Sequence, residues 1–125
     1  MTDTRAELKL SDVRYQARRP NPFFNEAYID FAGKLGLNPV IPERSGRASS
    51  DFGNVSQRVP GAHVYFGIAR REIAAHSIAF REAAGGAYAL RQMLAAAEAL
   101  ANTGYRFFTD AEFRKNVMRS FQSGR

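Results

Sequence analysis

A chain of 125 residues is long enough to bury one ordinary core and leaves little room for a second domain. It contains no cysteine, which excludes disulfide frameworks, Cys-based zinc sites and thiol nucleophiles together. It also has no signal-like apolar start and no run approaching the roughly 20 apolar residues of a membrane span, so a cytoplasmic location without membrane partners is expected. The net charge of +6 invites an anionic partner, but fifteen of the eighteen basic residues are arginines scattered along the chain. Dispersed arginines describe a solvated surface better than a nucleic-acid face, and no nucleic acid is expected.

In chain order, the alternating "AELKL" after residue 5 predicts a short half-buried strand. Asn21 as N-cap, Pro22 at the first helical position and Gly36 as a stop predict the first helix, with Phe24, Tyr28, Phe31 and Leu35 on one face. Residues 37–60 hold three prolines, two glycines and four serines, and so read as loop with at most a brief strand near "NPVI". "GAHVYFGIA", residues 61–69, predicts a strand with Val64, Phe66 and Ile68 on one face and His63 and Tyr65 on the other. The alanine-rich residues 82–102 predict a long helix, with Ala87, Leu90, Leu94, Ala97 and Ala101 recurring at helical spacing. Thr109 and Glu112 have the spacing of a capping box for a last helix striped by Phe113, Val117 and Phe121. Strand, helix, loop, strand, helix, helix is an α/β order, helix-rich with a few short strands. Two or three strands make little sheet by themselves.

Chemistry-bearing residues are few. His63 and His76 lie thirteen residues apart, outside any H-E-x-x-H pattern, and structural or surface roles account for either one. In "SSDFGNVSQ", Asp51 stands where a short acid can receive backbone N–H bonds. Turn-pinning by Asp51, Asn54 and Ser56 is therefore the simplest reading of that loop. There is no G-x-S-x-G elbow, P-loop or dinucleotide fingerprint. The residues alone lead to a polar loop, a strand and a histidine.

The order of these segments is more telling than any one of them. "RRPN", a helix ending "LGL", "SSDFGNVSQRVPGAHVYFGI", "AHSIAFREAA" and an alanine-rich helix together resemble the C-terminal part of the zinc-dependent aminoacylase and carboxypeptidase-like amidohydrolases, the M-twenty peptidase family. The likeness is greatest to its dipeptidase and aminobenzoyl-glutamate hydrolase branch, and runs from Tyr15 to Phe121. Residues 15–122 would then be the C-terminal portion of a metallopeptidase-like catalytic domain. Residues 1–14 would be the remnant of a lid-domain crossover, and 123–125 a frayed tail. Small departures occur at Ala48, Ala62 and Val64.

The resemblance implies hydrolysis of an amide bond in an N-acyl amino acid or dipeptide, by metal-bound water with a glutamate base. It makes His76 a ligand of a divalent metal, zinc in the family, and makes the loop of Ser50, Asp51 and Asn54, with His63, a wall that shapes the site. The remaining ligands and the base lie, in the family, in a part that precedes these motifs. No catalytic residue is therefore expected in this chain, and little activity from it alone. The rival readings are a binding or assembly module that completes a separate N-terminal half or joins a homo-oligomer, and a basic nucleic-acid-binding domain.

Overall fold

Asn21 sets the first helix and ties it to the last. In the computed structural model, which describes residues 3–10, 14–39 and 50–124, its Oδ1 accepts from the Phe24 backbone N–H at 3.3 Å. Its Nδ2 donates to the Val117 carbonyl at 3.0 Å. Helix α1, Pro22–Lys34, thus begins with the expected cap and proline. It ends as expected too. Gly36 adopts φ +77, and the N–H groups of Gly36 and Leu37 return to the carbonyls of Gly33 and Ala32 at 3.1 and 3.0 Å. This is a Schellman closure, and Leu37 is buried where the motif places its apolar contact.

Four more helices follow among the described residues: α2, Phe52–Ser56; α3, Ile78–Ala84; α4, Ala87–Thr109; and α5, Ala111–Ser123. Helices α1, α4 and α5 pack on one another around two joined clusters. One gathers Tyr28, Ala32, Leu37, Ala96 and Ala99, with Val64 laid against it. The other gathers Ala27, Phe113 and Val117, flanked by Phe24 and Phe107. The Phe24 ring stands 5.3 Å from Phe107 and 5.9 Å, edge-on, from Phe113, a favourable aromatic geometry.

Several expectations require correction. No strand occurs among the described residues, so of the α/β expectation only the helix-rich part is seen there. Residues 3–10 are exposed, with Leu8 and Leu10 in solvent rather than half buried. Residues 61–67 take no regular structure and make no backbone–backbone hydrogen bond within the described residues, and an alternating segment is a strand only when a neighbour pairs with it. Val40 and Ile41 of the strand expected near "NPVI" lie outside the described residues, as does Ala48.

The alanine-rich segment is interrupted rather than continuous. Gly85 and Gly86 separate α3 from α4, as two consecutive glycines readily do. The buried face of α4 is also not the expected one. Ala89, Ala96, Ala99 and Thr103 face the core, while Leu90 and Leu94 are 47% and 65% exposed. The reason is steric: α1 presents the large Tyr28 and Phe31, so α4 must turn its smallest residues toward them. The cap of α5 is Asp110, whose Oδ1 accepts from the Phe113 N–H at 2.9 Å. Thr109 instead donates its hydroxyl back to the Tyr105 carbonyl inside α4. Helix α5 runs to Ser123.

Candidate functional site

The polar loop folds into a clamp. Residues 14–19 run past the short helix α2, whose side chains hydrogen-bond to their backbone as a neighbouring strand would. Asn54 accepts from the Gln16 N–H through Oδ1 and donates to the Arg14 carbonyl through Nδ2, both at 2.9 Å. Gln57 donates to the Ala17 carbonyl at 2.8 Å, and Ser56 Oγ accepts from the Arg19 N–H at 2.9 Å while donating to the Gly53 carbonyl at 2.8 Å. Ser56 is buried, and these bonds satisfy a hydroxyl that would otherwise be costly to desolvate. Gly53 is required for the approach: a Cβ there would fall 1.8 Å from the Gln16 carbonyl oxygen.

Turn-pinning at the start of α2 falls to a different residue than expected. Ser50 Oγ accepts from the Phe52 N–H at 3.2 Å, whereas the Asp51 side chain makes no capping bond. The Asp51 carboxylate acts at longer range on His63. That ring lies between Phe52 and Tyr65, with centroids 4.9 and 4.8 Å away. Arg18 Nη1 stands 3.3 Å from His63 Nδ1 and donates to the Tyr65 hydroxyl at 3.3 Å. Because the guanidinium can only donate, Nδ1 is the acceptor and Nε2 carries the proton. Partial burial and then the Arg18 charge depress the His63 pKa, against an opposing pull from Asp51. A neutral imidazole with its proton on Nε2 results.

His76 stands apart. It has φ +60, the one positive φ outside glycine among the described residues, and its side chain is exposed. Ser77 holds it there: its Oγ accepts from the Phe80 N–H at 3.1 Å as N-cap of α3 and donates to the Ala74 carbonyl at 2.7 Å. The His-Ser pair is therefore a closed turn that presents an imidazole from strained backbone, the kind of strain that concentrates at functional positions. No hydrogen bond or ring contact among the described residues joins His76 to the Arg18–His63–Tyr65 cluster. Nor do three or more His, Asp or Glu side chains gather among the described residues to hold a metal ion. The residues present do not by themselves make a metal site.

The structure brings His63 to Arg18 and Tyr65, and Asn54 and Gln57 to residues 14–17; neither Arg18 nor Gln57 was singled out in the sequence. The alternation placing His63 and Tyr65 on one face was visible, whereas Arg18 lies 45 residues from its imidazole partner and carried no local signal.

No protein-family model matches the chain, and no solved structure matches it. Its similarity to characterised sequences is specific: it is 33% identical over 119 residues to a human Xaa-Arg dipeptidase, covering 93% of this chain. This segment is related to the M-twenty peptidases. A mouse Xaa-Arg dipeptidase is 35% identical over 108 residues, covering 82% of the chain. The matches cover 27% and 24% of those two relatives, so the peptidase-like segment spans about a quarter of their length. Among the described residues, no helix is long and apolar enough to cross a membrane.

Proposed function

We propose that the chain is the C-terminal catalytic-domain segment of a metal-dependent hydrolase that cleaves the amide bond of a dipeptide or N-acyl amino acid. The observation that supports this most directly is the identity to Xaa-Arg dipeptidases across nearly the whole chain. The presentation of His76 agrees with it, since a ligand supplied from a capped turn is held in one direction without blocking approach. In this reading His76 contributes one ligand to a divalent metal, zinc by family resemblance, whose other ligands and general base lie outside these residues. In the same reading Ser50, Asp51, Asn54 and His63 shape the site, Asn54 by fixing residues 14–16 and His63 by its Nε2 N–H.

The test combines metal binding and turnover. Titrating zinc into the purified chain is expected to perturb the His76 imidazole resonances before those of His63, and His76→Ala removes that response. Dipeptides ending in arginine and N-acyl amino acids are expected to persist unhydrolysed with the chain alone. Chelator-sensitive turnover by the isolated chain would overturn the view that its site is completed from elsewhere.

A second reading, an assembly module that completes a separate N-terminal half, is favoured by particular surfaces. Leu94, Tyr105 and Phe108 on the outer side of α4 are 65%, 70% and 78% exposed, and residues 61–67 leave their backbone groups unpaired among the described residues. Co-purification with a dipeptidase-like N-terminal half and gain of bound metal would support it. A monodisperse monomer indifferent to that half would count against it.

A further inference from the structure

A cleft of about 460 Å³ lies between the end of α1, the Tyr65–Gly67 segment and the first turns of α4, a size typical of small-molecule sites. Its polar wall is made by Tyr28, Asn38, Tyr65, Arg70, Tyr88 and Gln92, with no acidic side chain among the described lining residues. Arg70 is its single charge. The guanidinium carbon stands 4.9 Å from the centre of the Tyr88 ring, which orients it, and it makes no ion pair or hydrogen bond within the described residues.

The other polar groups are also uncommitted, or able to donate. Tyr28 is 4% exposed and lines the cleft, and its hydroxyl makes no hydrogen bond among the described residues. Burial raises its pKa, which keeps the hydroxyl a donor. The amides of Asn38 and Gln92 likewise have no partner among the described residues. Tyr65 receives a hydrogen bond from Arg18, leaving its own O–H proton free to donate. Arg18 is engaged with His63 and Tyr65, so it is a poorer anion receptor than Arg70.

A ring of donors and aromatic faces around one oriented guanidinium, unpaired among the described residues, matches an anion with a flat apolar body. The planar fork of arginine meets a carboxylate with two parallel hydrogen bonds. We propose that this cleft binds a small aromatic carboxylate, the carboxylate on Arg70 and the ring among Tyr28, Tyr65 and Tyr88. The site uses none of the residues assigned to metal or amide chemistry, and it stands or falls independently of the hydrolase reading.

The experiment is an NMR and calorimetric titration of the full chain with benzoate, its neutral isostere benzamide, and inorganic phosphate. Benzoate is expected to bind saturably, shifting resonances of Gln92 and Tyr28. Benzamide, and benzoate with Arg70→Gln, are expected to bind about tenfold or more weakly, the loss of a charge-assisted hydrogen bond. Arg70 is exposed, so its replacement leaves the fold intact, and Arg81→Gln on α3 serves as a charge-matched control with unchanged binding. Equal binding of benzamide, or unchanged benzoate binding by Arg70→Gln, overturns the site. Phosphate competing as well as benzoate overturns the ligand class.

Discussion

The backbone of Gly53 lies against the carbonyl of Gln16 so closely that a methyl group at Gly53 would stand 1.8 Å from that oxygen. The contact joins the polar loop to a segment 37 residues earlier in sequence, and it lets Asn54, Ser56 and Gln57 reach the backbone of residues 14–19. Gly53→Ala must push that segment off its clamp, breaking several side chain to main chain bonds at once. A loss of roughly 3 kcal/mol is expected, at the upper end for overpacking. Gly33→Ala is the control. Nothing lies within 4 Å of a Cβ there, and in the last turn of α1 alanine should stabilise, by at most the roughly 0.5–1 kcal/mol of a helix interior. Urea midpoints for the two variants should move in opposite directions, and a shared direction would refute the clamp.

Asn21 does two jobs with one buried amide. Asn21→Ala removes the cap of α1 and leaves the Val117 carbonyl without its 3.0 Å donor. Together these are worth about 2 kcal/mol. Asn21→Asp keeps the acceptor for Phe24 but not the donor, so it should recover only part of the loss. Thermal denaturation of the three proteins orders them: wild type, Asp, Ala.

At His76 the backbone rather than the side chain sets the stability. Alanine retains the Cβ that disfavours φ +60, and glycine does not. His76→Gly should therefore be more stable than His76→Ala by about 1 kcal/mol, while both lose the zinc-induced imidazole shift. If chemical denaturation finds the two variants equal, the turn is not strained.

The pH response of stability carries the signature of His63. Its pKa lies below the ordinary 6.5, through burial first and Arg18 second, so the native chain binds fewer protons than the unfolded one just below that pH. Stability from this group is complete above about pH 6.5 and declines as the pH falls toward the folded-state pKa. Melting temperature should fall between pH 7 and pH 5.5, and more shallowly in His63→Gln. Parallel slopes in the two proteins would show that some other group titrates.

Much of the helical layout was legible in local sequence because its signals are local. Asn21, Pro22 and Gly36 bound α1 through their own backbone preferences, and Phe113, Val117 and Phe121 mark the buried stripe of α5 by spacing alone. The family likeness was also legible, since it rests on the order of "SSDFGNVSQRVPGAH" and "AHSIAF" along the chain. What the sequence left open depended on neighbours. α4 is apolar on both sides, so only the bulk of Tyr28 and Phe31 opposite it decided that Ala96 and Ala99, not Leu90 and Leu94, would be buried. Residues 61–67 alternate as a strand, but pairing needs a second strand, and the described residues supply none. The polar loop read as turn-pinning or as the wall of a site. Folding showed it gripping residues 14–19 and setting His63 between Phe52 and Tyr65 beneath Arg18, because side chains from positions 18, 52, 63 and 65 meet only when the chain closes on itself.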